Sequence, residues 1–227
     1  MKLLDALAEA VRAAGLRCRG AFHPAADDGV PGPAGTLVLV GNAGPAMWRT
    51  FSAQVPAAAR TRTIDPLDDW IRRSLGRIAA HFGGRALFAF DGPPFLPFQR
   101  WACRAEPVFS SPLKILIHPR FGLWHAYRGA LLFAETLPLP VAETAADPCR
   151  GCSDSPCLHM CPVHAVTAAD YDVKACMHYL YETPGADCRQ GGCLSRRACP
   201  VGSHYRYAAE QAAFHMESFI RRAPTAP

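Results

Sequence analysis

Eight of the ten cysteines of this 227-residue chain fall within the 51 positions from Cys149 to Cys199. They form two groups, Cys149-x2-Cys152-x4-Cys157-x3-Cys161-Pro162, and Cys176 followed by Cys188-x4-Cys193-x5-Cys199-Pro200, each ending in Cys-Pro. Such density ties separate stretches of chain to a few shared points, by disulfides or by metal, and the compartment decides which. Met1 to Leu16 places Asp5, Glu9 and Arg12 among its apolar residues, so it reads as an amphipathic helix and not as the uncharged core of an export signal. No stretch reaches the roughly 18 uninterrupted apolar residues of a membrane span. The expectation is a cytoplasmic protein in a reducing setting, where metal ligation accounts for crowded thiols better than disulfides do. Cys18 and Cys103 stand apart and are expected to be small buried hydrophobes.

The spacing narrows the metal. A [4Fe–4S] cluster needs four thiolates at the corners of a cube. In bacterial two-cluster ferredoxins three come from one loop and the Cys-Pro cysteine of the other half crosses over as the fourth. On that pattern Cys149, Cys152 and Cys157 with Cys199 hold one cluster, and Cys176, Cys188 and Cys193 with Cys161 hold the other. The rival is structural zinc. All-cysteine zinc sites favour two short C-x2-C knuckles far apart, whereas this array has one such pair followed by x3-Cys-Pro. The loops are wider than the common x2, x2, x3: two extra residues precede Cys157, and the second group is expanded at both steps.

Half of the residues are hydrophobic, enough for two compact domains with real cores. Helical spacing of Leu3, Leu4, Leu7, Ala10, Val11 and Ala14 predicts a first helix ending at Gly15. The apolar run Thr36–Gly41 predicts a buried strand, and Asn42–Phe51 a turn into a short helix. Asp65-Pro66 predicts a helix start with a capping carboxylate, continued by Leu67, Trp70, Ile71, Leu75, Ile78 and Phe82 to Gly83-Gly84. Ala86–Phe90, Leu113–His118 and His125–Glu135 read as further strands, and Tyr205–Arg221 as a closing helix. Leu137-Pro-Leu-Pro140 breaks the pattern, so the expected domains are 1–140, of α+β class, and 141–227. The basic excess lies in the first: 16 basic against 10 acidic residues, compared with 8 against 9 afterwards. This surplus is scattered, Arg-based and without interleaved aromatics, so no nucleic-acid partner is expected.

Residues 147–202 resemble the ferredoxin domain of epoxyqueuosine reductases, in which a cysteine on a helix like Cys176-Met-His-Tyr-Leu-Tyr-Glu182 supplies the early ligand. In that family the clusters feed electrons to a cobalamin bound by the preceding domain. Three segments of the first domain resemble the CblC-type cobalamin-processing proteins, which have a nitroreductase-like α+β fold. They are Leu37-Val-Leu-Val-Gly-Asn-Ala-Gly-Pro-Ala-Met47, Asp65-Pro-Leu-Asp68 with Leu75-Gly-Arg-Ile78, and Ile117-His-Pro-Arg-Phe-Gly-Leu-Trp124 with Ala126-Tyr-Arg-Gly129; Gln99-Arg100 matches a family Gln-Arg upstream. The residues alone allow two readings of His118–Arg128: the lining of a pocket for a large planar, amide-bearing ligand, or ordinary packing with Arg120 at a strand end and Trp124 in the core. The resemblance implies the first. It assigns His118, Arg120, Trp124, Gln99 and Arg100 to cobalamin, and gives Arg128 the contact with the reacting partner at its upper face. The cysteine of the family's His-Pro-Arg segment is Leu116 here, and the family's later thiol-binding arginines fall where this chain has its cysteine array.

A cobalamin-processing domain without that thiol-binding end needs another electron source, and [4Fe–4S] clusters reach potentials as low as roughly −700 mV. The expectation is an α+β cobalamin-binding domain followed by a two-cluster ferredoxin domain. Two [4Fe–4S] clusters would take electrons from a soluble low-potential donor (ferredoxin, flavodoxin or a reductase) and reduce cobalamin with loss of its upper ligand. The alternatives are an electron-transfer protein whose first domain docks a partner without corrinoid, and a cobalamin-dependent reductase of an organic substrate.

Overall fold

Every residue of Thr36–Ala43 is buried, so this strand is covered on both faces and the first unit is arranged around it. The computed structural model describes residues 2–183 and 187–222. In chain order the elements are α1 (Lys2–Ala13), β1 (Arg17–Phe22), β2 (Thr36–Ala43), α2 (Ala46–Gln54), α3 (Ala57–Arg60), α4 (Pro66–His81), β3 (Arg85–Phe88), α5 (Phe98–Ala105), β4 (Phe109–Ser110), β5 (Leu116–Ile117), β6 (His125–Phe133), α6 (Val173–Glu182), α7 (Asp187–Gly191), α8 (Leu194–Ala198) and α9 (Ala209–Arg222). They divide into two units, Met1–Pro107 with His125–Ala145, and Val108–Trp124 with Ala146–Pro227. Segment 108–124, counted with the first domain on sequence, therefore belongs to the second unit.

The first unit carries an antiparallel sheet of order β1-β2-β6-β3. Leu7 and Val11 of α1 and Leu67, Trp70, Ile71 and Leu75 of α4 are buried, as their spacing predicts. Asp65 occupies the N-cap of α4, but its side chain makes no capping hydrogen bond; Pro66 at the first helical position starts the helix. Three elements of this unit escaped the sequence reading: β1, α5 and the single turn α3. β1 interleaves Arg17, Arg19 and Gly20 with its apolar residues, and α5 follows the Pro-rich loop directly. Trp101 of α5 is fully buried and its indole N–H donates to the Asp28 carbonyl at 2.8 Å, which is what lets so large a ring enter the core. Cys18 is half-buried and its thiol is pushed up to about 11, chiefly by burial, whereas Cys103 is exposed on α5 and not the buried hydrophobe expected.

The second unit begins with the two-residue pairing of β4 with β5. The expected strand Leu113–His118 shrinks to Leu116–Ile117 because Lys114 takes a left-handed turn conformation (φ 57) bonded back to Ser111. Its apolar residues are used otherwise: Leu113, Ile117 and Leu123 form a core with Val166 and Cys199. Gly122 (φ 58) and Gly202 (φ 65) bring two turns into backbone contact, Gly122 against the Val201 carbonyl and Gly202 against Phe121, where any Cβ would collide. A second core joins Met177 and Leu180 of α6 to Cys188 and Ile220. The closing helix starts at Ala209 and not at Tyr205, since Ser203–Tyr205 is a 3-10 turn. Among the described residues, no helix is long and apolar enough to cross a membrane.

Candidate metal centre and ligand cavity

The eight clustered cysteines come from loops and short helices whose local hydrogen bonds set each sulfur. Asp147 accepts the Cys149 N–H, Cys157 lies in the 3-10 turn Pro156–Leu158, and Ala165 N–H donates to the Cys161 sulfur at 3.2 Å. Asp172 caps α6 through Ala175 N–H and so fixes the helix that carries Cys176. Cys188 lies on α7, Cys193 precedes α8 and Cys199 closes it.

Electrostatic proximity sorts these thiols into two sets. Cys149 feels Cys199, Cys157 and Cys152; Cys157 feels Cys199 and Cys152; Cys199 feels Cys152. Separately, Cys188 feels Cys193, Cys176 and Cys161, and Cys176 feels Cys193 and Cys161. Burial first, then the Asp147 carboxylate and the neighbouring thiols, pushes Cys149 up to about 11, and burial with the neighbouring thiols does the same for Cys188, so filling either site with metal would release protons. Cys161, Cys176, Cys188 and Cys193 line one cavity of about 240 Å³, walled mainly by apolar groups such as Val166, Leu194, Met216 and Phe219. Among the described residues no three His, Cys, Asp or Glu side chains form a group that could hold a metal ion. The four cysteines stand around a common space. Four sulfur donors around an apolar space fit an iron–sulfur cube with a thiolate at each corner.

The first unit holds a larger cavity, about 670 Å³, lined by Ala89, Leu96, Pro97, Phe98, Gln99, Arg100 and Tyr127. Gln99 and Arg100 reach it because they open α5, where Arg100 also donates to the Asp28 carbonyl at 3.3 Å. Behind Tyr127 lies a buried ionic group that the sequence did not disclose. Arg19, 1% exposed, pairs with Glu106 through two contacts, 2.5 and 3.2 Å, and donates to the Asn42 carbonyl at 3.2 Å. Its guanidinium also lies 3.2 Å from His125 Nδ1 and 4.9 Å from the centre of the Tyr127 ring. Tyr127 donates its phenol proton to Glu106, and burial raises the phenol's pKa, so it stays protonated.

Sheet irregularities place the two arginines. Between Cys18 and Ala21, and again between Val40 and Gly41, the register slips. Arg19 falls at the first slip. Arg128 is the extra residue at the second, lying between Tyr127 (opposite Gly41) and Gly129 (opposite Val40), and its Nε donates to Asn42 Oδ1 at 3.1 Å. Such bulges re-aim a side chain that strict alternation would fix.

The other expected ligand residues are in the second unit, each with internal partners. His118 is buried, accepts the N–H groups of Arg120 and Phe121 at Nδ1 (2.9 and 3.3 Å) and lies against the Phe121 ring. Arg120 donates to the Tyr205 hydroxyl at 3.0 Å. Trp124 is buried against Tyr207 and the Arg196 guanidinium, and Arg196 also donates twice to the Leu123 carbonyl. Gln99 and Arg100 thus share a cavity, Arg128 sits on the neighbouring strand, and His118, Arg120 and Trp124 tie segment 108–124 to the second unit.

No protein-family model matches the chain, and no curated protein is similar to it in sequence. Solved structures are similar. The Caenorhabditis elegans B12-trafficking protein CblC aligns over 100% of this chain and 99% of its own, with a TM-score of 0.58 and 14% identity. An epoxyqueuosine reductase bound to a modified tRNA stem loop aligns over 92% of this chain and 67% of its own (TM-score 0.54, 17% identity), and the Bacillus subtilis epoxyqueuosine reductase over 91% and 68% (TM-score 0.51, 16% identity). At such identities the likeness is one of fold: a mixed helix and sheet chain with a small antiparallel sheet.

Proposed function

We propose that this chain is an iron–sulfur protein that binds cobalamin and reduces it, with loss of the upper axial ligand. The observation that carries the reading is the sorting of eight cysteines into two sets of four, in the crossed pattern of two-cluster ferredoxins. When bound, the clusters would supply single electrons at low potential, drawn from a soluble ferredoxin, flavodoxin or reductase. One electron added to cyanocobalamin takes cobalt(III) to cobalt(II), and cyanide departs with the bonding pair. The chain's own part is to hold the corrinoid and exclude water. A cavity of about 670 Å³, within the range of small-molecule sites, is lined by Gln99, Arg100 and Tyr127, an amide, a cation and an aromatic ring that suit a large ligand fringed with amides. The fold shared with CblC and with epoxyqueuosine reductase supports the same assignment. The latter likeness keeps a cobalamin-dependent reductase of an organic substrate as the second reading.

Anaerobically purified protein is expected to contain about eight iron and eight sulfide per chain and to show a reducible band near 400 nm. Stoichiometric zinc without labile sulfide would replace the iron–sulfur reading by a structural zinc module. Mixed with hydroxocobalamin and gel-filtered, the protein should retain the corrin absorption. Loss of that absorption, with the clusters present, would leave an electron-transfer protein whose first unit docks a partner.

Arg128 gives a sharper test. An arginine at the upper face stays charged at any working pH and can hold a departing anion by a charge-assisted hydrogen bond. Removing one such bond costs about 1.5–3 kcal/mol, or roughly a 10- to 100-fold slower step. Arg128→Ala should therefore slow single-turnover removal of cyanide from bound cyanocobalamin by that factor, with iron content unchanged. An unaltered rate would remove Arg128 from the mechanism.

A further inference from the structure

Backbone N–H groups donate to sulfur in both cysteine sets: Leu158 to Cys157 and Val201 to Cys199 in one, Leu194 to Cys188 and both Ser195 and Arg196 to Cys193 in the other. The set around the 240 Å³ cavity has two side-chain hydroxyls in addition. Tyr171 lines the cavity together with Cys176, with its phenol beside the Cys176 sulfur. Ser195 lines it too, is 1% exposed, and its Oγ has no hydrogen-bond partner among the described residues. A buried hydroxyl without a partner is costly, and native structures retain one where something outside the protein atoms completes it. Here the backbone N–H of Ser195 already donates to the Cys193 sulfur, so the orphaned hydroxyl belongs to a residue that is at the cavity wall.

We propose that Tyr171 and Ser195 are tuning residues that raise the reduction potential of the cluster held by Cys161, Cys176, Cys188 and Cys193. Tyr171 acts on a ligand sulfur and Ser195 donates into the cavity to the cluster itself. The inference rests on the iron–sulfur reading above and adds to it which side chains set the energy of one site. Reduction adds negative charge that is shared with the sulfurs. A donor aimed at sulfur in a poorly solvated site therefore stabilises the reduced form more than the oxidised form, and the potential rises. Neither residue changes the ligand count, so both effects are separable from cluster assembly.

The experiment is a mediated potentiometric titration, followed by EPR, of full-length anaerobic wild-type protein and the variants Tyr171→Phe, Ser195→Ala and Ser195→Thr. Phe and Ala each delete one hydroxyl with little change of shape, while Thr keeps it. Tyr171→Phe and Ser195→Ala should each lower the reduction equilibrium of the same single cluster about tenfold, about 59 mV for one electron, and leave the other cluster unchanged. Ser195→Thr should remain near wild type, and all variants should keep wild-type iron and sulfide. Wild-type potentials in both deletion variants, or equal shifts of both clusters, would overturn the assignment. Wild-type protein that holds no iron and sulfide at all would overturn the iron–sulfur reading instead, and this inference with it.

Discussion

Substituting Cys161 by serine is expected to abolish the cluster ringed by Cys176, Cys188 and Cys193 and to spare the one ringed by Cys149, Cys152, Cys157 and Cys199. Sequence distance argues the opposite, since Cys161 lies four residues from Cys157 and fifteen from Cys176. Space argues for the crossing: Cys161 lines the cavity with Cys176, Cys188 and Cys193, and its charge acts on those three thiols. Its sulfur also accepts the Ala165 N–H, which fixes its place at the cavity wall. Iron and sulfide should fall from about eight to about four per chain. EPR of the dithionite-reduced variant identifies which signal survives. Cys157→Ser is the control and should remove the other signal; if both variants lose the same one, the crossed pairing is refuted.

Glu106→Ala carries the largest expected cost to stability. Arg19 is almost fully buried, and Glu106 is the carboxylate that compensates its charge. Taking away one partner of a buried pair typically costs about 3–5 kcal/mol, because the remaining charge keeps its desolvation penalty. Tyr127 loses its acceptor in the same variant. Replacing both ends together with apolar residues, Arg19→Met with Glu106→Leu, removes the charge problem at its source and should recover part of that loss, stopping short of wild type because the Tyr127 hydroxyl and the Asn42 carbonyl still lose these partners. Guanidinium denaturation followed by tryptophan fluorescence reads both variants. A loss below about 1 kcal/mol in Glu106→Ala would show that the pair behaves as an exposed one.

The gathering of Cys161 with Cys176, Cys188 and Cys193 was legible because it is written in residue type: cysteines at set intervals, each group closed by Cys-Pro, mark which thiols meet whatever the intervening loops do. Strand β2 was legible because both its faces are covered, so the apolar run is unbroken, and α4 because a single buried face leaves a clean period. The ionic group behind Tyr127 was not, since Arg19 and Glu106 are 87 positions apart and neither lies in a charged motif. β1 was hidden by that same buried arginine and by Gly20, which interrupt its apolar residues. His118, Arg120 and Trp124 drew attention as polar and aromatic residues around a glycine turn. Such residues equally build a turn, and here His118 accepts two N–H groups of its own loop. The strand reading of Leu113–His118 failed for a related reason: apolar residues packed on Val166 and Cys199 look, in sequence, like residues packed in a sheet.

The course of segment 108–124 has a consequence for how the molecule can be made and cut. The chain leaves the first unit after Pro107, contributes Leu113, Ile117 and Leu123 to the core beside the cysteines, returns at His125 to lay down β6, and leaves again at Ala146. A ribosome therefore delivers part of the cysteine-bearing unit before β6, an inner strand that the first sheet needs, and neither unit is complete until the other has been partly synthesised. A cleavage near residue 140 would yield two fragments, each missing an interior piece or carrying one with no place to go. Separating the two units by simple truncation is thus ruled out by connectivity. A working excision would have to reroute the chain, joining residue 107 to 125 and grafting 108–124 onto the start of the cysteine-bearing fragment.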